Sequence, residues 1–187
     1  MLKARAVTSE ETRHHLEDAH KRVMSVAQVQ QHLHAFDGID QIEVNSYLSK
    51  LCESLGASII GDTQPIEIKV VADRGMIDSA TAVAIGLIVT ELVINAIKYA
   101  FPAKRKGASV LVSYQITAED WQLTVSDNGV GKGADVSNTA KGGGAGTAII
   151  EALVSQLEAQ LEVISTLKGT SVSIASATFA SDLPQAA

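Results

Sequence analysis

Glu91-Leu92-Val93-Ile94-Asn95-Ala96-Ile97-Lys98-Tyr99-Ala100-Phe101-Pro102 closes an apolar stretch that opens at Asp78. Asp78 to Phe101 is rich in Ala, Ile, Leu and Val and meets no proline before Pro102. The spacing therefore predicts one long helix, ended by Pro102, at the centre of the core. Three polar side chains interrupt it. Glu91, Asn95 and Lys98 stand four and three residues apart, which on an α-helix puts them within roughly 60° of one another. A carboxylate, a carboxamide and an ammonium on one stripe can position a water, ligate Mg2+ through oxygen and neutralise phosphate. A solvated helix edge is the plain alternative.

Downstream, Ser109 to Ile116 alternates apolar and polar residues, and Trp121 to Ser126 does the same after a short polar turn, which predicts a hairpin. Asp127-Asn128-Gly129-Val130-Gly131 follows directly. Trp121, Leu123 and Val125 share the parity of Asp127, so this carboxylate points off the end of the core-facing side. An Asp aimed at an apolar cavity needs donors, and the amino group of adenine is a suitable one; an ordinary Asn-Gly turn is the alternative. From Asp127 to Gly146 the chain is Gly, Asn, Asp, Ser and Lys with almost no apolar residue, a loop long enough to suggest function. It ends in Gly142-Gly143-Gly144-Ala145-Gly146-Thr147, where glycines and a helix N-terminus would allow close approach of phosphate. A helix over Ala148 to Leu157 and strands over Gln160 to Ile164 and Ser171 to Ala175 complete this half.

Upstream, Ile66, Ile68 and Val70 alternate with Glu67 and Lys69, a half-buried strand beginning after Pro65. Val44 to Leu55 reads as a helix with Tyr47, Leu48, Leu51 and Leu55 on one side and Gly56 near its end. Ser9 to His34 reads as a long amphipathic helix carrying Leu16, Ala19, Val23, Val26 and Leu33. The order helix, helix, strand, helix, strand, strand, loop, helix, strand, strand predicts an α+β two-layer sandwich, a mixed sheet under helices.

Composition narrows the functions. In 187 residues, 46% are hydrophobic but only 4% aromatic, and 15 Lys and Arg oppose 21 Asp and Glu for a formal charge of −6. That field repels nucleic-acid backbones. The single cysteine, Cys52, excludes an intrachain disulfide and reads as a core thiol. No His or Cys pair has zinc spacing, no Walker-type GxxxxGK[ST] follows a strand, and no Gly-x-Ser-x-Gly elbow occurs. The amino terminus lacks a signal-peptide pattern and the longest apolar run, Ala82 to Val89, is short for a membrane span, so a cytoplasmic chain without membrane contact is expected.

Taken together, ELVINAIKYAFP, SDNGVGK, GGGAGT and KGTSVSI resemble, in order, the four boxes of the ATP-binding catalytic domain of sensor histidine kinases. That domain belongs to the group shared with gyrase, the Hsp90 chaperones and MutL, with a Bergerat-type fold. The resemblance covers roughly Pro65 to Phe179. It implies that Asn95 ligates Mg2+, that Glu91 orients the catalytic machinery and acts on the metal through water, and that Lys98 contacts phosphate. It implies that Asp127 reads adenine above the turn of Gly129 and Gly131, and that Gly144 and Gly146 close a mobile lid over about Lys132 to Gly143. Tyr99, Lys132, Ala145, Thr147 and Thr170 join the implied ATP site, Thr170 through the adenine-side water network. Ala145 stands where many relatives carry a Leu beneath the lid.

Residues 2–34, with VNSYLSKLCESL after them, resemble the later part of the dimerisation and phosphotransfer hairpin of kinases related to the HWE group. The resemblance implies a division into residues 1–60, a partial hairpin segment, and 61–187, the ATP-binding domain. In such kinases the accepting His is followed by Arg and then Lys-Asn, and His14, His15, His20, His32 and His34 lack that context. The Trp-x-Glu signature is also missing, since Gln122-Leu123 follow Trp121. The expectation is a fragment that begins after its acceptor helix, binds ATP and Mg2+, does not phosphorylate itself, self-associates weakly through Leu16, Val23, Val26 and Leu33, and serves a response regulator. A pseudo-kinase phosphotransfer or adaptor module that keeps the fold without ATP turnover is the second reading. A serine kinase acting on an anti-anti-sigma partner is the third.

Overall fold

The computed structural model describes residues 41–59, 66–102, 105–117, 120–131 and 145–176. Its frame is a five-stranded mixed sheet of β2 (Ile66–Ala72), β4 (Ala108–Thr117), β5 (Asp120–Asp127), β6 (Ala159–Thr166) and β7 (Gly169–Ser176). Their order is β2-β4-β5-β7-β6. β2 and β4 run parallel, and every other neighbouring pair is antiparallel. The alternation read from the sequence decides which face is covered. Val110, Val112, Tyr114, Leu123, Val125 and Ile174 are buried on the helix side, while Thr124 and Ser173 share a 3.1 Å hydroxyl hydrogen bond on the other. Tyr114 and Trp121 stack across the hairpin with ring centroids 5.9 Å apart.

Two short strands that periodicity did not reveal, β1 (Gln41–Glu43) and β3 (Met76–Asp78), form a separate antiparallel ribbon. Three-residue strands are too short to show alternation. Helix α1 (Val44–Ile59) leaves β1 directly, its first turn capped by Glu43, whose carboxylate accepts from the amides of Asn45 and Ser46. Instead of ending near Gly56, α1 runs through it. A Cβ built at Gly56 would stand 3.8 Å from the Ile68 Cδ1 atom, an ordinary contact, so nothing at this position obliges the helix to stop. Tyr47, Leu48, Leu51, Cys52 and Leu55 are buried in one cluster with the central helix and the sheet. The phenol of Tyr47 donates to the Ala82 carbonyl at 2.9 Å. Packing therefore makes α1 part of the sandwich. The predicted helix over Ser9 to His34 lies outside the described residues.

The central helix, α2 (Ser79–Asn95), begins at its cap, Asp78, which accepts from the Thr81 amide at 2.9 Å and hydroxyl at 2.6 Å. It is apolar all round because its neighbours cover it: Ile85, Ile88, Val89 and Val93 are wholly buried. Together with the turn beyond it, the stretch Ser79–Ala100 is long and apolar enough to cross a membrane, but 67% of its most apolar window is buried inside the fold, which is what a core helix requires. The single α-helix expected up to Phe101 is corrected at its end. The Ala96 amide is shared between the carbonyls of Leu92 and Val93, and Ala96–Ala100 forms a π-helical turn. Residue types alone do not betray such a turn, since Ala, Ile, Lys and Tyr suit both geometries. Helix α3 (Ala145–Gln156) starts three residues earlier than its apolar pattern suggests and adds Ile150 and Val154 to the core.

Candidate functional site

The site is assembled at the end of β5. Asp127 is its last residue, and its Oδ1 atom accepts from the Gly129 amide at 2.8 Å and, more weakly, the Thr170 amide at 3.4 Å. Among the described residues no hydrogen bond reaches Oδ2. One oxygen thus anchors the side chain while the other is left for an outside donor, the arrangement a carboxylate needs to read an amino group.

Three close approaches by glycine hold the surrounding segments together. A Cβ on Gly129 would lie 2.3 Å from the Ala100 carbonyl oxygen. One on Gly131, whose φ is +56°, would lie 1.8 Å from the Thr166 oxygen, and one on Gly169, with φ +132°, would lie 1.9 Å from the Asp127 oxygen. Only residues without a side chain permit this contact. The result joins the end of the central helix, the turn after β5 and the β6–β7 turn. Asp127, Gly129, Gly131 and Thr170 are thereby gathered in one place.

Glu91 and Asn95 lie on the central helix and Lys98 on the π turn that continues it, whose Ala100 meets the turn after β5. Glu91 is only 7% exposed, which removes the solvated-edge alternative for this residue, since a carboxylate is costly to bury without a role or a partner. Asn95 and Lys98 are half-buried. The π turn alters the stripe. It advances each residue by less than an α-helix does, so Lys98 lies further round from Asn95 than regular geometry places it. Tyr99, in the same turn, is 66% exposed.

The first turn of α3 carries the remaining described residues that the sequence marks. Gly146 is buried and Thr147 half-buried there, with the free amides of a helix N-terminus; the glycine-rich run reaches into the helix rather than stopping before it. Lys132, Gly144 and the expected lid from Lys132 to Gly143 lie outside the described residues, as does the side chain of Ala145. Chemically, the described groups suit a nucleotide: a carboxylate with a free oxygen, a half-buried carboxamide for a metal, an ammonium, and helix amides for phosphate.

Asn128 has a role that its residue type does not announce. Its Oδ1 accepts from the Ser109 amide at 2.9 Å, its Nδ2 donates to the Gly107 carbonyl at 2.8 Å, its amide donates to the Ser109 carbonyl at 3.2 Å, and its carbonyl accepts from Arg105 at 2.6 Å. The Asn-Gly doublet signalled the turn but not this clasp.

Residues 67–175 match the histidine kinase-like ATPase domain family, and residues 1–59 match a second family, described as histidine kinase. The sensor histidine kinase PdtaS of Mycolicibacterium smegmatis is 31% identical over 130 residues, covering 70% of this chain and 26% of that protein. Blue-light-activated histidine kinase 2 of Erythrobacter litoralis is 32% identical over 133 residues, covering 71% and 38%. The chain thus spans about a quarter to two fifths of these relatives. Among solved structures, the histidine kinase domain of the Erythrobacter litoralis EL346 blue-light activated histidine kinase superposes with a TM-score of 0.70 at 28% identity, over 82% of this chain and 71% of that one. The mixed sheet under helices, the glycine-locked turn beside Asp127 and the match over residues 67–175 agree, and the chain belongs to the histidine kinase-like ATPase domain family.

Proposed function

We propose that this chain is the ATP-binding catalytic portion of a two-component sensor histidine kinase, transferring the γ-phosphate of ATP to a histidine on a hairpin helix. The observation that carries the reading is the Asp127 carboxylate, held through Oδ1 by the amides of Gly129 and Thr170 with no described partner on Oδ2. In this reading Asp127 accepts from the adenine amino group, Gly129 and Gly131 form the turn beneath the base, and Thr170 supports it. Asn95 ligates Mg2+, and Glu91 acts on the metal through water and orients the transfer. Lys98, Lys132 and the amides from Gly144 to Thr147 face the phosphates, and Tyr99 borders the site. Mg2+ would offset the charge of the phosphates; the protein's own contribution is position and electrostatics, which is where phosphoryl transfer gains most.

The acceptor is assigned to none of the five histidines, because none has the sequence context of an acceptor. Residues 1–60 are proposed as part of the dimerisation and phosphotransfer segment and 61–187 as the catalytic domain, with α1 as the joint that docks one on the other. A homodimer through the helical segment, a response regulator as recipient and a cytoplasmic setting without nucleic acid complete the proposal.

Calorimetric titration of Mg-ATP into the chain and into Asp127→Asn tests the reading. Micromolar-range binding that the substitution abolishes is the expected result, followed by acid-labile phosphohistidine on an added acceptor helix. Failure of the unsubstituted chain to bind ATP replaces the kinase with the adaptor module; acid-stable phosphate on a partner protein replaces it with a serine kinase.

A further inference from the structure

Each of the four polar groups of Asn128 has a partner in the protein. Oδ1 and the backbone amide bond to the Ser109 amide and carbonyl, Nδ2 bonds to the Gly107 carbonyl, and the Asn128 carbonyl accepts from the Arg105 guanidinium. Gly107 takes a left-handed conformation, φ +73°, which turns the chain between Arg105 and Ser109 back beneath this side chain. On the opposite side of the same turn, the Val130 amide is bonded to the Ala100 carbonyl at 2.9 Å.

The Asp127 carboxylate depends on that turn, because its firmer anchor is the Gly129 amide, one residue beyond Asn128. If the peptide between Asn128 and Gly129 swings, Oδ1 loses its donor and Oδ2 changes direction. We infer that Asn128, clamped by residues 105–109, is a positioning residue that fixes the direction of the Asp127 carboxylate and so sets the discrimination of adenine from guanine. The inference rests on the ATP reading of the site and deepens it.

The test is titration of the full chain with ATP, ADP and GTP in the unsubstituted protein, Asn128→Ala, Asn128→Asp and Arg105→Met, with a thermal unfolding midpoint for each. In Asn128→Ala, ATP and ADP should weaken by the same factor, about tenfold, a loss equal to one good hydrogen-bonded contact. GTP, which does not use the carboxylate as adenine does, should be unchanged, so the ATP to GTP ratio narrows. Asn128→Asp keeps the acceptor for Ser109 and loses the donor to Gly107, and should fall between the two. Arg105→Met removes one bond from an exposed residue and should narrow the ratio by about two- to threefold without loss of fold, which preserves the test if Asn128→Ala does not fold. A uniform loss for all three nucleotides with a lowered midpoint, or an unchanged ratio in folded variants, overturns the inference while leaving ATP binding intact. Absence of ATP binding in the unsubstituted chain overturns the ATP reading itself, and the inference with it.

Discussion

The amide of Val130 donates to the carbonyl of Ala100 across 2.9 Å, tying the turn beyond the sheet to the last turn of the central helix. That bond joins the two halves of the proposed site, the carboxylate of Asp127 on one side and the helix that carries Glu91, Asn95 and Lys98 on the other. It exists because Gly129 lets the backbones meet and because the π turn delivers Ala100 to them. A widened turn at a functional position is a recurrent use of π geometry.

Gly129→Ala tests this junction. A methyl group there meets the Ala100 carbonyl oxygen at 2.3 Å and its carbonyl carbon at 2.7 Å, and both belong to packed backbone that must shift. The expected outcome is a loss of about 1–3 kcal/mol in unfolding free energy and at least tenfold weaker ATP binding, read by denaturant titration and calorimetry. Unchanged affinity in the variant contradicts the view that the junction shapes the site.

Glu91→Gln separates binding from chemistry. The side chain is buried on the central helix, and a carboxamide keeps its size while removing the charge proposed to act on the metal and the transfer. With acceptor helix supplied, the rate of phosphohistidine formation should fall by about a hundredfold or more, while ATP affinity changes little. A parallel loss of affinity would assign Glu91 to nucleotide binding instead.

Much of this arrangement was legible in residue order, for physical reasons. Period-two alternation in β2, β4 and β5 reports a sheet with one covered face, and Glu91 stood out because a carboxylate in an apolar helix is costly. The parity of Asp127 with Leu123 and Val125 agrees with its place in the ladder, opposite the buried Val110. The ribbon of β1 and β3 was not legible, since its register rests on pairings across a long chain separation. The clasp of Asn128 was hidden too: a turn-forming Asn-Gly doublet looks the same whether its side chain meets solvent or Gly107 and Ser109. The π turn was invisible because helical periodicity assumes regular geometry in advance.

Asp78 links the β1–β3 ribbon to the central helix and sets an acid limit on stability. Hydrogen bonds from the Thr81 hydroxyl and amide hold its carboxyl below the usual carboxylate range. A lowered folded value means that the contribution is present above the ordinary value of 3.8 and is lost as pH falls through the folded one. Asp78→Ala should cost about 1 kcal/mol at neutral pH. Asp78→Asn should keep most of the cap and flatten the decline below pH 4 in urea unfolding experiments. An equally steep acid decline in Asp78→Asn would place its origin elsewhere.

At the opposite end of the pH scale, Cys52 should govern part of the alkaline decline. Burial pushes its thiol from 9.0 up to about 12, and burial raises Tyr47 and Tyr114 as well, Tyr114 to about 12. Between pH 9 and 12 the unfolded chain releases the thiol proton while the folded chain retains it, so the native state binds more protons and stability falls as pH rises. Urea unfolding at pH 7, 9 and 10 should show this loss in the unsubstituted chain and a shallower one in Cys52→Ala, with the tyrosines responsible for what remains. The same burial predicts that a thiol reagent at pH 8 leaves the native chain unlabelled and modifies one thiol per chain in denaturant. Rapid labelling of the native chain, or parallel pH profiles for the two proteins, would show that the α1 face bearing Cys52 opens readily from the sheet.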